Sequence, residues 1–135
     1  MSKALIHKYY ESFNQKNWDQ FLGMLDQNVV HEINHGDKEI GINKFKKFLD
    51  RMNNCYEEKI SDITIYSCDR SNLYATQYTV TGTYLKTDEG LPPAKGQTYE
   101  LKGAAFFEVE ENKITLVTNY YNLKEWLDLI HSQSK

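Results

Sequence analysis

The sequence has little of several features that would point to a particular class of protein. It contains two cysteines and two prolines among 135 residues, and 16 Lys and Arg nearly balance 19 Asp and Glu, for a net charge of −3. This balance argues against a general phosphate-binding surface. No run approaches the roughly 20 apolar residues of a membrane span, and the first residues lack a signal-peptide stretch. We therefore expect a cytoplasmic protein that binds neither nucleic acid nor membranes.

The two cysteines show no sign of a disulfide framework or a metal site. Cys55 and Cys68 form no Cys-x-x-Cys pair, and no histidine cluster accompanies them at the spacing of a zinc site. Free cysteine is usually buried, so we expect two reduced thiols with structural roles. The sequence indicates neither a metal nor a cofactor.

Aromatic residues are what the sequence does have: 10 Tyr, 6 Phe and 2 Trp. Tyrosine combines a large apolar body with a polar tip, which suits half-buried sheet faces and the walls of pockets. The length is that of one domain, residues 1–135, and no internal repeat or linker divides it.

Helical periodicity dominates the first half of the chain. Apolar spacing predicts an amphipathic helix over about residues 3–15, a short second helix capped by Asn17, and a third over about residues 42–52. A last helix is predicted after Asn122, which has the capping-box spacing to Glu125.

The second half alternates as strands do. Strands are predicted over residues 29–35, 59–67, 73–86, 98–109 and 114–121. Short connections imply antiparallel pairing, so we expect an α+β fold with helices covering one face of the sheet. Gly82 and Gly103 lie inside strands and predict a bulge or bend that curves the sheet. Residues 87–97 form a loop, expected to be a pocket lid, a dimer contact or a plain surface connection.

Five stretches resemble proteins described as ketosteroid isomerase-related or SnoaL-like, within the nuclear transport factor 2-like superfamily. They are VVHEINHG, RMNNCY, TGTYLKTDEGLPPAKGQTYEL, GAAFFEV and KITLVTNYYNLKEW. The resemblance implies a cone-shaped, cystatin-like fold with a curved antiparallel sheet, N-terminal helices over it and a C-terminal helix. It also implies an apolar pocket for a small molecule and a homodimer formed through the sheet face.

Steroid isomerases of this fold use a carboxylate base, with a tyrosine and a protonated aspartic acid as hydrogen-bond donors. Residue-by-residue matching places the base at Ile33 in VVHEINHG and the acid at Ala105 in GAAFFEV, and it places the tyrosine at Tyr9 within HKYYESFNQKNW. Isoleucine cannot accept a proton and alanine cannot donate a hydrogen bond. The resemblance therefore implies that Ile33 and Ala105 line the ligand site, and it argues against standard ketosteroid isomerase activity.

The first strand offers two alternative bases. His31, Ile33 and His35 share one face, and Glu32 and Asn34 share the other. If the first face lines the pocket, His31 is the acid–base group, because imidazole titrates near neutrality. If the second does, Glu32 is the base and Asn34 positions the ligand.

The last strand supplies further candidates on the face that the resemblance turns inward. Asn119 is expected to anchor a ligand through its amide, with Tyr121 beside it on the same face. Two functions fit these residues. The first is an isomerase or cyclase that moves a proton on a hydrophobic cyclic or carbonyl-bearing molecule. The second is a non-catalytic ligand-binding or dimerisation domain.

Overall fold

The computed structural model describes residues 2–34 and 36–133, and it confirms the α+β fold. The helices are α1 (Ser2–Gln15), α2 (Trp18–Gly23), α3 (Ile42–Cys55) and α4 (Leu123–Ser132). The strands are β1 (Leu25–Ile33), β2 (Glu39–Ile40), β3 (Tyr56–Ser67), β4 (Leu73–Tyr84), β5 (Thr98–Glu110) and β6 (Lys113–Tyr121). No helix in the described part of the chain is long and apolar enough to cross a membrane.

One six-stranded sheet has the order β2-β1-β6-β5-β4-β3. The four long strands β3 to β6 pair antiparallel in sequence order, as predicted. Two features were not predicted: β1 pairs parallel with β6, and the two-residue strand β2 extends the edge beyond β1. The parallel pair joins segments from opposite ends of the chain, and no local pattern marks such a contact.

Aromatic packing joins the helices to the inner face of the sheet. The Tyr9 ring of α1 lies 4.5 Å from the Phe21 ring of α2 and 5.2 Å from the Phe107 ring of β5. Tyr10 packs beside it, and its hydroxyl forms a buried hydrogen bond of 2.7 Å with Thr76 of β4. These contacts hold α1 against the sheet. Truncating one of these buried aromatic side chains would lower the free energy of unfolding by about 3–5 kcal/mol.

Both predicted helix caps are present. The Gln20 backbone N–H donates to the Asn17 side-chain oxygen at 3.3 Å, and the Glu125 N–H donates to that of Asn122 at 3.1 Å. The expectation for the cysteines is right for one residue only. Cys55 is buried, whereas Cys68 is exposed beyond the end of β3 and cannot serve as a core residue.

Of the two alternatives predicted for Gly82 and Gly103, a bulge is wrong, and a bend at these glycines stays a prediction. The β4–β5 ladder runs without interruption through both, and the register shifts of these strands lie elsewhere, between Ser61 and Thr64 and between Glu108 and Val109. Each glycine instead makes room for a tyrosine ring on a neighbouring strand. A Cβ at Gly82 would lie 2.5 Å from the ring of Tyr99, and one at Gly103 would lie 2.5 Å from that of Tyr78.

We therefore predict that Gly82→Ala destabilises the protein. The added methyl group would overlap the Tyr99 ring, which is 4% exposed and cannot swing into solvent without losing its packing. Overpacking of this kind costs about 1–3 kcal/mol. The free energy of unfolding from urea denaturation measures it.

Gly23→Ala is the matched control for this substitution. It adds the same methyl group where nothing lies within 4 Å, so we expect a change within about 0.5 kcal/mol. Equal stability of the Gly82 variant and the wild type would show that the ring does not need the space.

Candidate functional site

A cavity of about 640 Å³ lies between the inner face of the sheet and the helices. This volume is within the usual range for small-molecule sites. The aromatic side chains that line it come from all four helices and four strands: Tyr9, Tyr10, Phe13, Trp18, Phe21, Phe45, Phe48, Tyr56, Tyr78, Tyr99, Tyr121 and Trp126. Such a wall favours a flat, apolar ligand.

Five of the predicted site residues line this cavity: Tyr9, His31, Ile33, Asn119 and Tyr121. They converge because α1 lies across the sheet and because odd-numbered residues of β1 and β6 face the same side. Tyr9 is 7% exposed, and its hydroxyl makes no hydrogen bond among the described residues. Burial raises its pKa well above the usual value, so the phenol is neutral and free to donate.

His31 sits between aromatic rings at the α3 side of the cavity. Its imidazole stacks on Phe45 with the centroids 4.4 Å apart and meets the edge of Phe48 at 4.6 Å. The Asn119 amide nitrogen lies 3.4 Å from its Nε2, where a neutral ring accepts a hydrogen bond. Burial lowers the pKa of His31 to about 4, so the ring is uncharged near neutral pH.

Three other predicted residues do not line the cavity. Glu32 faces the opposite side of the sheet and accepts a hydrogen bond of 3.1 Å from Thr118. Asn34 has a φ of 51° at the end of β1, and its side-chain oxygen accepts from the Tyr121 backbone N–H at 2.8 Å. Ala105 is fully buried between neighbouring strands. The geometry thus favours His31 over Glu32, while His35 lies outside the described residues.

Glu58 is the cavity residue that the sequence reasoning missed. It lies on β3, lines the cavity, and its carboxylate accepts a hydrogen bond of 2.5 Å from the Tyr99 hydroxyl. Burial raises the pKa of Glu58, and the Tyr99 hydrogen bond offsets part of that rise. The predicted strand began at Lys59. Extending the alternation back through Ile60, Glu58 and Tyr56 would have placed this carboxylate on the inner face.

The 87–97 loop forms part of the cavity wall through Asp88, Glu89 and Leu91. Asp88 accepts a hydrogen bond of 2.9 Å from the Tyr56 hydroxyl and pairs with Arg51 at 3.6 Å. The Tyr84 hydroxyl accepts from the Asp88 backbone N–H at 2.9 Å and donates to the Pro92 carbonyl at 2.7 Å. These bonds order the loop against the sheet. Its use as a lid or a dimer contact stays a prediction.

No group of three His, Cys, Asp or Glu side chains that could hold a metal ion occurs within residues 2–34 and 36–133. The polar chemistry available to the cavity therefore comes from its own side chains. These are four carboxyl groups, the cations Lys16 and Arg51, the neutral imidazole of His31, several phenols and the amides of Asn53 and Asn119.

Comparison with solved structures confirms the nuclear transport factor 2-like fold. An NTF2-like protein of unknown function from Burkholderia pseudomallei K96243 superposes with a TM-score of 0.80 over 95% of each chain, at 14% identity. At that identity the likeness concerns the fold alone.

Family membership follows from sequence as well as structure. The SnoaL-like domain family matches residues 6–117, so this chain belongs to it. A candidate polyketide cyclase from Xanthomonas campestris pv. campestris is 47% identical, with a TM-score of 0.90 over 95% of each chain. Another from Pseudomonas putida KT2440 is 42% identical, with a TM-score of 0.91 over 93% of this chain and 95% of its own. No curated protein matches the chain.

The burial of the His31 imidazole predicts that the folded protein loses stability as the pH falls. The folded-state pKa of His31 lies below its ordinary 6.5, so the unfolded chain binds the proton more readily, and stability falls as pH drops from 6.5 toward about 4. A difference of this size corresponds to about 3 kcal/mol. We expect the wild type to lose that much more than His31→Gln over this interval, measured by urea denaturation at each pH.

The wild type must be compared with His31→Gln because Glu58 changes stability with pH in the opposite direction. Its raised pKa makes the folded state gain stability as the carboxyl becomes protonated. That contribution is present in both proteins and cancels in their difference. Parallel pH profiles for the two proteins would contradict the assignment of a buried, neutral His31.

Proposed function

We propose that this protein is an isomerase or cyclase that moves a proton on a hydrophobic, carbonyl-bearing small molecule bound in the cavity. The observation that carries the proposal is Glu58, a carboxyl group inside an aromatic cavity with one neutral hydrogen-bond partner, Tyr99. The names of the two relatives as candidate polyketide cyclases support the same class of reaction.

Glu58 acts as the base in this proposal. Its raised pKa brings its proton affinity closer to that of a carbon acid beside a carbonyl and to the working pH, which is the condition for efficient general base catalysis. The Tyr99 hydroxyl engages one carboxylate oxygen and fixes the orientation of the group. The remaining lone pairs are free to accept a proton from the ligand.

Phenol hydroxyls supply the complementary donors. Tyr9, Tyr78 and Tyr121 line the cavity, and their hydroxyls form no hydrogen bond among the described residues. Burial raises the pKa of each, so all three stay protonated at neutral pH. A carbonyl oxygen that gains negative charge during enolisation would be stabilised by such donors.

His31 does not act here as the acid–base group that the sequence predicts. With a pKa of about 4 it is a weak base, so we assign proton abstraction to Glu58 and not to the imidazole. Neutral His31 and the Asn119 amide, 3.4 Å apart, instead orient a polar group of the ligand. A cytoplasmic location stays a prediction.

A second candidate function is assembly through the outer face of the sheet. Tyr66 and Phe106 expose 47% and 48% of their surface there, and Phe106 packs against Tyr120 with ring centroids 5.7 Å apart. Exposed aromatic patches of this kind commonly mark interfaces. The homodimer implied by the family resemblance would use this face.

The dimer proposal predicts that Phe106→Glu yields a monomer, because the new charge would be buried in the interface without a partner. Light scattering after size-exclusion chromatography measures the mass. Ile40→Glu is the control, since Ile40 is 60% exposed at the far edge of the sheet. A monomeric wild type would exclude this assembly.

The proton-transfer proposal is tested with 2-tetralone, a bicyclic ketone with acidic hydrogens beside its carbonyl. We expect the wild type to accelerate exchange of these hydrogens with D₂O above the buffer rate, measured by NMR. Glu58→Gln keeps an acceptor for Tyr99 but cannot take a proton, so most of the acceleration should vanish. General base catalysis contributes about 10²–10⁴-fold.

Glu100→Gln is the matched control, because Glu100 carries the same charge but is exposed on β5 and does not line the cavity. It should retain the exchange rate of the wild type. Exchange that survives in folded Glu58→Gln would exclude Glu58 as the base. If the wild type does not accelerate the exchange, the alternative function, a non-catalytic ligand-binding domain, remains.

A further inference from the structure

Charged side chains around the cavity are unequally divided between the two signs. Four carboxylates and two cations line it: Glu57, Glu58, Asp88, Glu89, Lys16 and Arg51. Each cation is already paired, Lys16 with Glu57 and Arg51 with Asp88, at 3.6 Å in both cases. His31 adds no positive charge near neutral pH, because burial lowers its pKa to about 4.

Glu58 has no cationic partner within the described residues. The groups that face it are phenols from three strands, Tyr78 of β4, Tyr99 of β5 and Tyr121 of β6, and among these Tyr99 forms its hydrogen bond. The side chains of Lys16 and Arg51 are 57% and 58% exposed, so their charge is largely screened by solvent. The negative charge of Glu58 is therefore not neutralised inside the cavity.

This charge has a direct consequence for ligands. A ligand with a carboxylate, sulfonate or phosphate in the cavity would leave water, find no unpaired cation and meet the field of Glu58 in surroundings of low dielectric constant. A neutral ligand pays neither penalty and gains the contacts of the aromatic wall.

We propose that the cavity selects uncharged hydrophobic ligands and excludes anionic ones, with Glu58 as the residue that determines this specificity. The inference rests on the proposed function in that the cavity is the ligand site. It narrows the substrate to a neutral carbonyl compound without a free acid or phosphate group. It does not depend on Glu58 acting as a base.

Two naphthalene ketones of matched size test the proposal by isothermal titration calorimetry. One is 6-acetylnaphthalene-2-sulfonate, which is anionic at every pH used, and the other is its uncharged methyl sulfone. At pH 8 we expect the sulfone to bind the wild type at least tenfold more tightly than the sulfonate. In Glu58→Gln that ratio should fall below threefold, and in Glu100→Gln, which removes an exposed carboxylate outside the cavity, it should stay as in the wild type.

A pH series on the wild type gives a second test that needs no variant to fold. The sulfonate keeps its charge, so a ratio that narrows between pH 8 and about pH 6 reports protonation of a carboxylate that lines the cavity. Glu57 and Asp88 are each paired with a cation, and Glu89 is exposed. This leaves Glu58 as the carboxylate whose raised pKa brings its protonation toward this range. Of the other groups facing the cavity, the phenols stay neutral throughout, and His31 gains charge only near pH 4, below the series.

Three results would overturn the proposal: a sulfonate that binds the wild type as tightly as the sulfone, a ratio that persists in Glu58→Gln, or a sulfone that does not bind. Its failure is distinguishable from failure of the proposed reaction. If the protein binds selectively but does not exchange the hydrogens of 2-tetralone, the specificity proposal stands and the role of Glu58 as a base is excluded. If it exchanges them but does not bind selectively, the base stands and the specificity proposal is excluded.

Discussion

The hydrogen bond from Tyr99 to Glu58 is the interaction on which the cavity depends. A carboxyl group in an aromatic hollow loses its hydration, and one short bond to a phenol is the replacement the fold provides. That bond requires the Tyr99 ring to reach from β5 across β4 to β3. Gly82 lies between them in the same row of the sheet, and its lack of a side chain makes the crossing possible.

The same arrangement, a tyrosine ring over a glycine of the neighbouring strand, occurs a second time on the inner face of the sheet. Tyr78 of β4 lies over Gly103 of β5, toward Tyr121 of β6. Two tyrosines therefore lie flat on the sheet, each over a glycine on the neighbouring strand. A ring that lies over a glycine stays close to the sheet, which leaves space for a ligand in the hollow.

Local patterns predicted the elements well and the contacts between distant segments poorly. The four helices, the antiparallel strands and the Asn17 and Asn122 caps follow from spacing within a few residues. The parallel β1–β6 pair does not, since it depends on where the two ends of the chain meet. The packing role of Gly82 and Gly103 is invisible to local patterns for the same reason, because the tyrosine that needs the space lies on another strand.

Within one fold, the cavity can be kept while the residues that supply its chemistry lie on different strands. The resemblance to steroid isomerases implies that their two acids correspond to Ile33 and Ala105 here. Both residues are apolar, and only Ile33 lines the cavity, together with Tyr9. An ionisable carboxyl is present at Glu58 on a different wall. Glu58 lies on β3, whereas the two positions implied by the resemblance lie on β1 and β5, so the resemblance gives no indication of it. A curved sheet exposes many inward positions to the same hollow, so a carboxyl on any of several strands can reach one ligand, provided that a neighbouring donor stabilises it there.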